Sequence, residues 1–77
     1  GMEYPIALEY LKKAIEIAGD TYYFHRVKSL VEAAWGDYDS AIASAEKSLE
    51  LSQKEEKDEF VRVNEKNILS WKEKLKK

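Results

Sequence analysis

A repeat with an offset of 34 residues is the feature that most constrains the fold of this chain. The segment from residue 36 to 51 has a weaker counterpart 34 positions earlier. A fixed offset of this size between two helix-like segments predicts stacked helical repeats. The matched pairs are Tyr38 and Tyr4, Ala41 and Ala7, Lys47 and Lys13, Glu50 and Glu16, Ile42 and Leu8, Leu49 and Ile15, and Leu51 and Ile17.

Composition limits the classes of partner and chemistry. The 77 residues make one small domain or part of a larger one. A charged content of 36% with a net charge of −2 indicates an ordinary solvated surface and no nucleic-acid partner. The absence of Cys excludes disulfides, thiolate metal sites and a Cys nucleophile. No apolar run approaches the roughly 20 residues that cross a bilayer.

The cell compartment stays open. Gly1-Met2, followed by a start inside a repeat, indicates that the chain is a fragment. A cytoplasmic location is the default expectation, and an extracytoplasmic one is compatible with the same sequence.

Apolar residues recur at three- and four-residue spacing along nearly the whole chain, and no segment shows strand alternation. Gly19 and Gly36 suit the residue that follows a helix end. Either Asp20 or Thr21 is the expected N-cap of the second helix, because each side chain can accept a hydrogen bond from a free amide. Helices are predicted over about 5–18, 21–35 and 39–53, and from the charge cluster at 54–59 to residue 75.

These segments resemble tetratricopeptide repeats. The run Gly36-Asp37-Tyr38-Asp39-Ser40-Ala41-Ile42, followed by Lys47-Ser48-Leu49-Glu50-Leu51, is similar to the second helix of that family's unit, and Tyr4 to Ile17 resembles the same helix of a preceding unit. The resemblance implies an all-α fold of about four helices, arranged as antiparallel helix-turn-helix repeats with right-handed superhelical stacking. It divides the single domain, 1–77, into the second helix of a truncated first repeat (4–18), a complete repeat (22–55) and a C-terminal capping helix (56–77).

The family pattern leaves two registers for the second helix. Counting back from Gly36 places His25, Lys28, Ser29 and Glu32 at the inward positions. A slip of one residue instead buries Phe24, Val27 and Val31 and leaves Lys28 at a small-residue position. We prefer the slipped register, because burying Lys and Glu without partners costs more than lengthening a turn by one residue.

The resemblance also implies a concave face that binds a protein or peptide. In the slipped register, the side of the second helix away from the core carries Tyr22, His25, Ser29 and Glu32, with Arg26 on its flank. We predict that these five residues bind the partner. The alternative for His25, the single histidine, is an ordinary surface residue.

Catalytic and cofactor chemistry find little support in the sequence. One His with scattered carboxylates does not supply the three or four ligands of a metal site. The carboxylates of Glu55-Glu56 and Asp58-Glu59 lie in a charge cluster typical of a solvated face, whereas acid–base catalysis needs a desolvated cleft. The sequence therefore predicts a non-enzymatic protein with no cofactor, no metal, no nucleic-acid partner and no membrane partner.

A second hypothesis gives the chain a structural role. The first helix lacks a preceding partner helix, so its apolar residues, with Leu8, Leu11 and Ile15 as candidates, are expected to be left open. Open apolar patches are usually covered by self-association or by an adjoining domain. Homo-oligomerisation through this face is the alternative to peptide binding.

Overall fold

A computed structural model describes residues 4–76 of the chain, apart from the side chain of Tyr4. Within that range it contains four helices and no strand, which confirms the all-α prediction. The predicted ends of the first three helices lie within one residue of the observed ones. The helices are α1 (Tyr4–Ala18), α2 (Tyr22–Trp35), α3 (Tyr38–Lys54) and α4 (Asp58–Leu75).

The links between helices are two or three residues long, and each contains one residue in the left-handed region. These residues are Gly19 with φ 88°, Gly36 with φ 101° and Glu56 with φ 58°. Thr21 is the N-cap of α2, since its side chain accepts a hydrogen bond from the Phe24 amide at 3.1 Å. Of the two N-caps that the sequence allows for α2, the structure uses Thr21.

Each helix packs on the next one in the chain, and α2 also touches α4. Short links make consecutive helices run in opposite directions, as in an αα-hairpin. Ser48, late in α3, bonds to the backbone of Tyr22 at the start of α2, and Tyr38 at the start of α3 lies beneath Lys74 near the end of α4. Both contacts fit antiparallel pairs with α3 between its two neighbours.

Small side chains fill the face of α3 that meets α2 and α4. Ala41 and Ala45 are fully buried there, and Ile68 and Trp71 of α4 complete the apolar core of the described residues. The Cα trace measures 34 × 33 × 16 Å, so one dimension is half of the other two. In a molecule this flat most residues keep a solvent-facing side, and few are completely buried.

The preferred register of α2 is wrong. Ser29 and Glu32, predicted to face away from the core, are 0% and 3% exposed. Phe24, Val27 and Val31, predicted to be the inner residues, are only half-buried. The reason lies in the partners of Glu32: its carboxylate accepts hydrogen bonds from Lys28 and from Ser44 of α3, so it is not buried alone.

The open face of α1 also differs from the expected one. Leu8, Leu11 and Ile15 are half-buried, since α1 packs on α2 and on no other described helix. The large exposed apolar residues of α1 are Ile6, Tyr10 and Ile17, which recur at helical spacing on another side. None of the helices formed by residues 4–75 is both long enough and apolar enough to cross a membrane.

Candidate functional site

A cleft of about 200 Å³ lies where α2 and α4 touch, and it is lined by Arg26, Glu59, Phe60 and Val63. Arg26 comes one turn after Tyr22 on α2, whereas the other three residues lie in the first two turns of α4. The cleft therefore exists only because α3 holds the N-terminal halves of α2 and α4 side by side. We call it the α2–α4 cleft.

The guanidinium group of Arg26 is the main electrostatic feature of this cleft. Its central carbon lies 5.7 Å from the centroid of the Phe60 ring, a distance typical of a cation–π contact. The Nε atom is buried and has no hydrogen-bond partner among the described residues. No ion pair of Arg26 with a described carboxylate is present. The guanidinium charge is thus held against an aromatic ring rather than against a carboxylate of the chain.

Phe60 is held in turn by Tyr22, whose backbone belongs to a chain of hydrogen bonds across three helices. The rings of Tyr22 and Phe60 have centroids 4.7 Å apart and are tilted by 59°. The Ser48 hydroxyl donates to the carbonyl oxygen of Tyr22 at 2.7 Å, and the Asn64 amide donates to that hydroxyl at 2.8 Å. One connected set of contacts thereby joins α2, α3 and α4 through Tyr22, which packs on the cleft residue Phe60.

A second polar cluster lies between α2 and α3. Lys28 Nζ donates to Glu32 Oε2 at 2.8 Å and to Ser44 Oγ at 3.0 Å, and that hydroxyl donates to Glu32 Oε1 at 2.7 Å. Ser29 donates to the carbonyl oxygen of Arg26 at 2.6 Å. Ser29 and Glu32 thus hold helices and backbone in place, and neither can touch a partner while α2 and α3 stay packed.

His25 is tied to the link between α1 and α2. Its Nε2 atom lies 3.1 Å from Asp20 Oδ1, with the imidazole N–H donating to the carboxylate. The side chain is only 14% exposed. His25 therefore braces the start of α2 more than it offers a free ring to solvent.

Of the five residues predicted to bind a partner, only Arg26 lines the α2–α4 cleft, and Tyr22 packs on Phe60, which also lines it. The sequence reasoning missed the contribution of α4, namely Phe60, Val63 and Glu59. Helical spacing in the sequence places Phe60 on the apolar side of α4, but spacing alone leaves both Val63 and Asn64 possible for the next inward position. Asn64 is the buried one, so Val63 is left at the edge of the cleft, about one-third exposed.

Among residues 4–76, no three His, Asp or Glu side chains lie close enough together to hold a metal ion. Comparison of the chain with protein-family models, with curated proteins and with solved structures found no match. The relationship to tetratricopeptide repeats therefore stays a resemblance.

Proposed function

We propose that this chain is a non-catalytic protein-interaction module that binds a peptide or protein segment in the α2–α4 cleft. The observation that carries the proposal is the Arg26 guanidinium, stacked on Phe60 beside Val63 and free of any ion pair to a described carboxylate. This places a cation next to apolar surface on two packed helices. Aromatic residues and Arg are the side chains most enriched at protein interfaces.

Rigidity of the cleft supports the same function. The Tyr22–Phe60 contact and the Asn64–Ser48–Tyr22 hydrogen bonds set the two walls before any partner arrives. A surface held in place in this way loses little conformational entropy on binding, so more of the contact energy becomes affinity. The buried Glu32 fits a structural use, because its carboxylate pairs with the partly exposed Lys28 between α2 and α3.

The test begins with a display library of random 12-residue peptides selected on the immobilised chain. Peptides that bind should be compared on the parent chain and on the variants Arg26→Ala and Val63→Glu. We expect each variant to weaken binding by about tenfold or more, as for an interface residue whose truncation costs above 1 kcal/mol. Leu69→Glu, on the same helix but outside the cleft, is the matched control and should bind normally. If the selected peptides bind Val63→Glu with the same affinity as the parent chain, the binding surface lies elsewhere.

The exposed apolar residues of α1 favour a second function, a structural role in which this helix mediates self-association or packs on another domain. Ile17 is 86% exposed and Tyr10 is 70% exposed, although both side chains are large and mainly apolar. Unlike peptide binding in the α2–α4 cleft, this function does not use Arg26 or Phe60.

A further inference from the structure

Two open surfaces lie at opposite ends of the row of helices. The first, the α1 stripe, consists of Ile6, Tyr10, Lys13 and Ile17, which share one side of α1. The second, the α3–α4 groove, has a volume of about 450 Å³ and is lined by Glu46, Leu49, Glu65, Ile68, Leu69 and Lys72. Since α1 packs only on α2, and α3 lies between α2 and α4, the two surfaces cannot meet within one chain.

We propose that the α1 stripe of one copy of this chain docks into the α3–α4 groove of another copy. Leu69, at 68% exposed, and the half-buried Leu49 form the apolar floor of the groove together with Ile68. Ile6, Tyr10 and Ile17 supply the matching apolar stripe. This inference does not depend on peptide binding in the α2–α4 cleft.

Charge complementarity sets the direction of docking. One end of the groove is acidic, with Glu65 on α4, whereas Lys72, two turns further along α4, is basic. On α1 the order along the chain is the same, because Glu9 precedes Lys13 by one turn. Lys13 meets Glu65 and Glu9 faces Lys72 only if α1 runs antiparallel to α4.

This direction continues the architecture of the chain itself. Within one copy, α3 lies antiparallel to α4, and α1 is the segment that matches α3 at the 34-residue offset. A docked α1 would therefore lie against α4 in the same orientation as α3. The contact joins two different surfaces, so it is heterologous and can add further copies at both ends.

A single helix laid in a short groove buries little area. The association should fall in the weak class that covers less than about 1,200 Å² in total. Sedimentation equilibrium of the full chain over a wide concentration range is therefore the appropriate measurement. We expect the weight-average mass to rise with concentration and to pass the value of a dimer.

Two variants distinguish a heterologous contact from a symmetric one. Tyr10→Glu places a carboxylate in the α1 stripe, and Leu69→Glu places one in the α3–α4 groove. Each variant alone should weaken association by about tenfold or more. A mixture of the two variants should form a 1:1 complex that grows no further, since it contains one intact stripe and one intact groove. Val63→Glu introduces the same charge on α4 outside the groove and should associate like the parent.

Charge reversal tests the direction of docking. Lys13→Glu should weaken association by a few-fold, as for an exposed ion pair. Mixing this variant with Glu65→Lys should restore association in which the two variants alternate, because both contacts between unlike variants then pair opposite charges. A chain that stays monomeric at every concentration overturns the proposal, and so does a mass that levels off at a dimer. Loss of association in Tyr10→Glu but not in Leu69→Glu also overturns it, because that result indicates a symmetric contact between two α1 helices.

Discussion

Single buried polar residues decide how the helices of this molecule fit together. Asn64 has the largest fully buried side chain. The next largest fully buried side chains belong to Ser29, Ser48 and Ser52. A serine is small enough to let two helices approach closely, and its hydroxyl can donate to a nearby carbonyl or to a side chain across the interface. Ser52 donates to Leu49 of its own helix, whereas Ser48 donates across the interface to the backbone of Tyr22. The close contact of α2 and α3 is therefore compatible with a polar interface.

At the scale of single residues, Glu32→Ala tests whether the Lys28–Glu32–Ser44 cluster stabilises the α2–α3 interface. The change leaves Lys28 without its carboxylate at an interface where Lys28 is 22% exposed, and it removes an acceptor of the Ser44 hydroxyl. We expect the free energy of unfolding to fall by about 2–3 kcal/mol, below the largest values for fully buried pairs because Lys28 keeps some contact with water. Chemical denaturation monitored by circular dichroism measures the change.

Glu50→Ala is the control for that substitution. Glu50 forms an ion pair with Lys47 at 3.7 Å on the surface of α3, and its side chain is more than half exposed. The loss should be no more than about 0.5 kcal/mol. Equal losses for the two variants would show that the Lys28–Glu32–Ser44 cluster does not stabilise the α2–α3 interface.

At the scale of the elements, two of the three links share one way of ending a helix. After α2, the Gly36 amide donates to the carbonyl of Ala33 and the Asp37 amide donates to that of Glu32. After α3, Glu56 and Lys57 donate to Gln53 and Ser52 in the same arrangement. This is the Schellman motif, which needs a left-handed residue after the helix. Gly36 meets that need without steric conflict, whereas Glu56 meets it with a side chain.

Glu56→Gly should therefore stabilise the protein. A non-glycine residue in the left-handed region costs about 1–2 kcal/mol, and the greater freedom of Gly in the unfolded chain cancels part of the gain. We expect a net rise of about 0.5–1 kcal/mol in the free energy of unfolding, measured by thermal or chemical denaturation.

The reciprocal change, Gly36→Ala, tests the same argument with the opposite sign. A Cβ atom at Gly36 would meet no heavy atom within 4 Å, so its cost is conformational and not steric. The free energy of unfolding should fall by about 1 kcal/mol. A neutral result for both variants would mean that the left-handed conformation is not maintained in solution.

At the scale of the whole molecule, stability is uneven along the row of helices. α3 packs on α2 and α4 and carries the buried Ala41 and Ala45, whereas α1 packs on α2 alone. The residues that match these two alanines at the repeat offset, Ala7 and Leu11, are only half-buried. Equivalent sequence positions thus contribute different amounts of buried surface, because they have different numbers of neighbouring helices.

Hydrogen exchange measures this difference directly. An isolated helix of 15 residues is marginal in water, so α1 should open locally without unfolding of the other three helices. In dilute protein we expect the amides of α1 to exchange about tenfold faster, or more, than those in the middle of α3. Protection of α1 that increases with protein concentration would support docking into the α3–α4 groove. Equal protection of α1 and α3 in dilute solution would contradict the uneven distribution of stability.

Much of the fold follows from local sequence. Helix periodicity, the glycines at 19 and 36 and the capping role of Thr21 or Asp20 act over a few residues, so the chain itself sets helix positions and turns. The inward positions of Ala41, Ala45, Ile68 and Trp71 were also predictable, because these residues fall on the small or apolar side of their helices.

The orientation of α2 and the composition of the cleft were decided only by the tertiary structure. The sequence of α2 offers two competing inward faces. The polar face is the buried one, because Ser44 of α3, 12 residues after Glu32, donates a hydrogen bond to the Glu32 carboxylate that α2 alone cannot provide. The cleft likewise joins Arg26 to Phe60, which lie on helices that meet only after α3 has folded between them. Local rules fix where helices begin and end, but the free energy of burying a polar side chain depends on the partners that packing brings to it.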